Sequence, residues 1–157
     1  MKILKIIVLL LLVSATAVKA QKPVMENAGV MIESASKFGF DETLAKLTAN
    51  ITEKGWKVTI VHDLQETMKK NGKEVLPVKV IELCNPAHAF NILSKDEYRD
   101  VTPMLPCRIS VYEKADGKTY ISRMNAPAFA AMIGGDAAKT MVQAFNETEV
   151  IIDVVMK

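Results

Sequence analysis

CRISVYEKADGKTYISRM, residues 107–124, is the stretch that decides the fold. Its first half alternates between apolar and polar side chains, Ala115-Asp116-Gly117 then forms a turn, and a second stretch resumes at Lys118. Alternation with a period of two is typical of a strand with one buried face, and a short turn containing Gly joins two such strands antiparallel. The stretch therefore predicts a β-hairpin, which supplies the fourth and fifth strands.

Three further strands are predicted upstream of this hairpin, from alternation or from a high content of β-branched residues. They cover residues 29–35, 56–63 and 78–84. Apolar positions spaced three and four residues apart predict helices after Asp41, over 64–70, after Asn85 and after Pro127. The order is one strand, one helix, four strands with short helices between them, and a long last helix. It predicts an α+β domain, with an antiparallel sheet of about five strands and helices packed on one face.

Two segments between or after these elements are less regular. Ser94–Pro106 is rich in charge and proline and is predicted to be a loop. The last helix is expected to be capped by Asp136. Its apolar seam consists of Ala138, Met141, Phe145, Thr148, Ile152 and Val155. Residues 150–155 are rich in β-branched side chains, so both helix and strand are possible there.

The first twenty residues have the pattern of a cleavable export signal. Lys2 and Lys5 precede the apolar run Ile6–Val13, and Val18-Lys19-Ala20 fits a cleavage site after Ala20. The run is too short to span a bilayer, which needs about 20 apolar residues. We therefore expect a periplasmic or secreted bacterial protein with a single domain over residues 21–157. No stable membrane insertion is expected once the signal is removed.

Charge excludes two classes of partner. The chain has a formal net charge of +2, and loss of Lys2, Lys5 and Lys19 with the signal removes three positive charges, which leaves −1. A nearly neutral domain without a block of like charge offers no electrostatic footprint for nucleic acid or for anionic lipid. Neither is expected as a partner.

Two segments that contain the cysteines carry a family resemblance. KVIELCNP at 79–86, with Ala89 following, and LPCRISVYE at 105–113 together resemble the domain of unknown function 302 family, and the similarity extends over about residues 28–157. The resemblance implies an α+β fold similar to a single copy of the TATA-binding-protein type of sheet. It implies no activity, and His88 falls where the family motif is variable.

The two cysteines are predicted to act as a pair. Cys84 closes the third strand and Cys107 opens the fourth, so antiparallel pairing places them side by side. Strand parity then aims both sulfur atoms into the core. Three interpretations stay possible: a structural disulfide or two buried thiols, a redox or sulfur-handling thiol pair with the Cys84 thiolate stabilised by the next helix, or a soft-metal site with His88.

Glu82 is the unusual residue of the third strand. Parity places it on the predicted apolar face, where a lone carboxylate is costly unless it is paired. Either it reaches solvent at the sheet edge, or it belongs to a ligand pocket and pairs with Arg108 or Arg123 through a strand twist or bulge. The possible ligand-binding residues are Glu82, Asn85, Pro86, Arg108 and Tyr112.

No catalytic residue, cofactor or resident metal is predicted, because no acid–base pair and no nucleophile with its base can be named. The sequence therefore favours a non-enzymatic envelope protein that binds a small molecule or a protein partner through the sheet and Ser94–Pro106. The alternatives are a thiol-dependent redox or sulfur-handling protein that uses Cys84 and Cys107, and a soft-metal-binding protein.

Overall fold

The structure, a computed structural model, describes residues 29–156. The export signal predicted over residues 1–20 lies outside the described residues. Within the described range, none of the helices is both long and apolar enough to cross a bilayer.

The described residues form a single antiparallel sheet with helices between its strands. The strands are β1 (Met31–Ala35), β2 (Lys57–Asp63), β3 (Val78–Cys84), β4 (Cys107–Glu113) and β5 (Thr119–Met124). The helices are α1 (Phe40–Glu53), α2 (Leu64–Lys70), α3 (Pro86–Leu93), α4 (Ala126–Ile133) and α5 (Gly135–Ile152). The strand order is β1-β5-β4-β3-β2 with every neighbour antiparallel. The predicted α+β class, the five strands and the hairpin are confirmed.

The core lies between one face of the sheet and the helices α1 and α5. Ile81, Leu83, Ile109, Val111 and Ile121 from the sheet are fully buried there. They pack in one cluster with Leu47, Ile51, Ile151 and Ile152 from the two helices. Burying each of these side chains contributes about 1.5–3 kcal/mol, so this face holds the domain together. The opposite face is called the open face below.

β3 presents the opposite face to the core from the one predicted. Ile81 and Leu83 are buried in the core, so strand alternation places Val80, Glu82 and Cys84 on the open face. The prediction that Glu82 and Cys84 share the apolar core face is therefore wrong. Both faces of β3 carry apolar residues, so strand alternation alone does not show which face is buried. The cost of burying the Glu82 carboxylate decides it, because the other face can be buried without that cost.

The chain end is helical, which resolves the alternatives for residues 150–155. α5 continues to Ile152, and a 3-10 turn follows over Asp153–Val155. The seam is rotated from the predicted one, since Ala137 and Ala144 are buried and Ala138 and Phe145 are only partly so. The small alanines allow close packing, which favours their side of the helix.

The predicted Asp136 cap is wrong. The N-cap residue is Gly134, and no side chain caps the helix there. Asp136 instead forms an ion pair with Lys95 at 2.7 Å, which ties the start of α5 to the segment after α3.

The segment predicted as a loop contains a 3-10 helix over Asp96–Met104. Tyr98, Val101 and Met104 are spaced three residues apart, which is the period of this helix, and pack against Ile92 and Met141 in a second core cluster. The loop prediction is therefore wrong for these residues. The short period is concealed by Arg99 and Asp100 between the first two apolar positions and by Thr102 and Pro103 between the last two.

Candidate functional site

A cavity of about 340 Å³ lies at one end of the sheet. Met31, Trp56, Cys84, Cys107 and Met124 line it, and all five are at or next to strand ends that meet at this edge. The volume falls within the range of small-ligand sites, roughly 300–1,000 Å³. The antiparallel order thus creates a site from residues that are far apart in the sequence.

Helical segments supply most of the remaining cavity lining. α3 contributes His88, Ala89 and Ile92, and the segment after it contributes Val101, Met104, Leu105 and Pro106. α5 contributes Thr140, Met141, Ala144, Phe145 and Thr148. The lining is predominantly apolar, so a ligand would be held mainly by burial of apolar surface. The lining includes residues from both faces of the sheet, because the cavity runs over the strand ends.

The two cysteines line this cavity from different faces of the sheet. The β3–β4 register pairs Cys107 with Leu83, so Cys107 shares the core face and Cys84, one residue further, is on the open face. Both are free thiols. The prediction that both sulfur atoms point into the core is therefore wrong, and the structure contains no disulfide between them. What the sequence predicted correctly is their proximity across adjacent strands.

Burial raises the pKa of the Cys107 thiol to about 11, and the nearby Cys84 adds to the shift. The thiolate is the nucleophilic form of cysteine, so Cys107 is protonated and unreactive at neutral pH. A redox mechanism would therefore have to begin at Cys84.

This shift predicts slow alkylation of Cys107. In a Cys84→Ser variant the remaining thiol should react with iodoacetamide at pH 8 about 100-fold more slowly in the folded protein than in urea, since each pKa unit changes the thiolate fraction tenfold. Mass spectrometry of quenched samples measures both rates. The matched Cys107→Ser variant reports Cys84 in the same way. Equal rates for Cys107 in folded and unfolded protein would contradict the assignment.

His88 is buried in the cavity wall and directed at a carboxylate. Its Nε2 lies 2.9 Å from Oε2 of Glu147, but off the line needed for a hydrogen bond. The same oxygen accepts a hydrogen bond from Nε1 of Trp56 at 3.1 Å. Burial raises the pKa of Glu147, but the combined effect of His88, Gln143 and Trp56 is larger and in the opposite direction. The pKa of Glu147 is therefore lowered overall. Glu147 therefore fixes the orientation of Trp56 through a hydrogen bond, whereas His88 is close to it without being bonded.

The predicted soft-metal alternative is not supported by this geometry. Among the residues that the structure describes, no group of three or more His, Cys, Asp or Glu side chains is placed to hold a metal ion. Cys84 and Cys107 diverge to opposite faces, and His88 is directed at Glu147.

Glu82 and Arg108 form the ion pair that the sequence allowed. They are register partners on the open face, and Nε of Arg108 donates to Oε1 of Glu82 at 3.0 Å. His62 lies 3.1 Å from the same oxygen. The hydrogen bond from Arg108, followed by that from His62, lowers the pKa of Glu82. No twist or bulge is needed, because both side chains start on the same face.

Arg123, the other predicted partner of Glu82, lies on the core face instead. Its side chain is 5 % exposed, and its Nε donates to Glu149 at 2.7 Å. Nη1 donates to Ser34 at 2.8 Å. The guanidinium is thus satisfied within the protein although it also borders the cavity.

The remaining predicted ligand residues divide into those inside and outside the cavity. Asn85 lines it and also caps α3, where its side chain accepts a hydrogen bond from the Ala87 amide at 3.0 Å. Pro86 and Tyr112 do not line the cavity. Pro86 is exposed in the first turn of α3, and the Tyr112 hydroxyl donates a hydrogen bond to Glu33. Arg108, Cys84 and Cys107 line it, whereas Glu82 contacts it only through Arg108.

Several lining residues were missed by sequence reasoning. Trp56, Ser122, Thr140 and Thr148 belong to three different segments, and Trp56 and Ser122 gave no local signal. Thr140 and Thr148 are eight residues apart on α5, which places them on one face of the helix, and this polar pair within an apolar seam was the available indication.

Comparison with known proteins agrees with this architecture. The family described as "Domain of unknown function DUF302" matches residues 32–155. The chain belongs to this family. The DUF302 resemblance seen in the two cysteine segments is thereby confirmed.

A solved DUF302 structure has the same fold. The crystal structure of an uncharacterized conserved DUF302 protein from Bacillus stearothermophilus superposes with a TM-score of 0.71 at 22 % sequence identity. The match covers 80 % of this chain and 98 % of the other. No curated protein matches this DUF302 chain. At this identity the likeness establishes the fold alone, so function has to be argued from the site.

Proposed function

We propose that this DUF302 protein binds a small, largely apolar molecule in the cavity at the end of its sheet, without chemical turnover, after export to the periplasm or the medium. The export part of the proposal rests on the sequence pattern of the first twenty residues. The binding part rests on one observation, the cavity of about 340 Å³ lined mainly by apolar side chains.

The size of the cavity sets the size of the ligand. An apolar cavity of about 150 Å³ binds benzene, so by proportion a cavity of 340 Å³ accommodates about a dozen heavy atoms. A medium-length alkyl chain or a bicyclic aromatic molecule has this size. Larger lipids with two chains would not fit within it.

The groups in the wall support binding rather than catalysis. The Cys107 thiol has a raised pKa and is protonated. Glu147 accepts a hydrogen bond from Trp56 and lies 2.9 Å from His88. These four residues therefore do not form a pair of a general base and an activated nucleophile.

Binding should be visible through Trp56, which lines the cavity and is the one tryptophan of the chain. Titration of the folded protein with decan-1-ol should give a saturable change in tryptophan emission, because the ligand changes the surroundings of the indole. Isothermal titration calorimetry supplies the affinity. Glucose is the matched polar control and should have no effect. If neither decan-1-ol nor a ten-carbon carboxylate produces a saturable emission change or heat, the proposed function is wrong.

A further inference from the structure

The cavity wall contains basic side chains and no carboxylate among the described residues. Arg108, Arg123 and His88 line the cavity, and no Asp or Glu is among the described lining residues. The acids that pair with these groups, Glu82, Glu149 and Glu147, approach them from outside the lining. The cavity therefore presents positive charge, and no negative charge, to an occupant.

Of the two arginines, only Arg108 has terminal nitrogens without a partner among the described residues. Arg123 is bonded to Glu149 and Ser34, and His88 is directed at Glu147. Among the described residues, the Arg108 guanidinium is paired through Nε alone, with Glu82. Its two terminal nitrogens are thus available, and its side chain is 53 % exposed, so it lies where the cavity meets solvent.

Two hydroxyl groups lie on the same face as Arg108. Ser110 is two residues along β4, about 7 Å away on the same face, and Ser122 is its register partner on β5. Both serines line the cavity. A planar guanidinium with neighbouring hydroxyl donors suits a carboxylate, which accepts two hydrogen bonds from arginine side by side.

We infer that the ligand is an amphiphilic monoanion of about a dozen heavy atoms, with an apolar body that carries a carboxylate at Arg108, Ser110 and Ser122. This inference rests on the proposed function, since it names the class of molecule that occupies the same cavity. The apolar body lies at the strand ends, among the apolar lining residues of α3 and of the segment after it. The carboxylate stays at the solvent-accessible end, where the cost of removing its charge from water is lowest.

Ligands with the same chain and different head groups test this inference. Decanoate should bind the wild-type protein about tenfold more tightly than decan-1-ol, and decyltrimethylammonium should bind more weakly than either. In Arg108→Gln the affinity for decanoate should fall about tenfold and that for decan-1-ol should not change. Calorimetry gives each affinity, and the emission of Trp56 confirms that the chain occupies the cavity.

A second variant changes affinity in the opposite direction. Glu82→Gln removes the acid that competes for Arg108, so it should tighten decanoate binding while decan-1-ol binding stays the same. Equal binding of decanoate and decan-1-ol in the wild type, or no loss in Arg108→Gln, would overturn the inference and leave the proposed function standing. Failure of every ten-carbon ligand to bind would instead overturn the proposed function.

Discussion

Replacing Arg123 by methionine is expected to lower the free energy of unfolding by about 3–5 kcal/mol. The Arg123 side chain is 5 % exposed, and it donates to both carboxylate oxygens of Glu149 and to Ser34. Methionine keeps the apolar stem but leaves a buried site without its guanidinium and the partly exposed Glu149 carboxylate without its partner. Urea denaturation, followed by the emission of Trp56, measures the loss.

Arg108→Met is the matched control, since Arg108 is on the adjacent strand and also pairs with a glutamate. Its side chain is 53 % exposed, so the control should cost about 1 kcal/mol or less. A double variant, Arg123→Met with Glu149→Leu, should recover part of the stability, because it removes the unpaired charge. If Arg123→Met is no more harmful than Arg108→Met, the buried ion pair does not contribute as assigned.

Replacing Ala89 by phenylalanine is expected to abolish ligand binding, with at least a tenfold loss of affinity for both decan-1-ol and decanoate. Ala89 is half-buried on α3 and lines the cavity, so the ring occupies space that the ligand would use. Filling this space should leave stability unchanged or increase it by about 0.5–2 kcal/mol. Calorimetry measures binding, and urea denaturation measures stability.

Ala87→Phe provides the control on the same helix. Ala87 is exposed and does not line the cavity, so the same substitution there should change neither binding nor stability. Undiminished binding by Ala89→Phe would show that the ligand lies elsewhere. Equal losses in both variants would indicate a disturbed α3 rather than a filled cavity.

Local patterns were sufficient for most of the secondary structure. The hairpin of β4 and β5 follows from alternation around Gly117, whose φ of 72° suits glycine. The bounds of β3 and α2 agree with the predicted ones, because Pro77 and Gly72 interrupt the regular pattern next to them. The 3-10 helix over 96–104 was missed, because its period of three is short and the residues between its apolar positions are charged or include a proline.

The face that each strand presents to the core was harder to predict. β4 has apolar residues on one side only, and its predicted face agrees with the structure. β3 has apolar residues on both sides, so its face depends on where the Glu82 carboxylate can be solvated and paired. Because the face of β3 was predicted wrongly, Cys84 was placed on the wrong side of the sheet. The disulfide and metal alternatives depended on that placement.

The sequence by itself determined the α+β class, the membership of the DUF302 family, the antiparallel hairpin and the proximity of Cys84 to Cys107. These depend on periodicity, turn residues and short motifs, all of which are local. Only the tertiary structure decided that the cysteines diverge and that Arg108 rather than Arg123 meets Glu82. Only it brought Trp56 and the polar residues of α5 to one cavity. The physical reason is that a cavity is made where distant segments fail to fill the space between them, and no local pattern encodes that space.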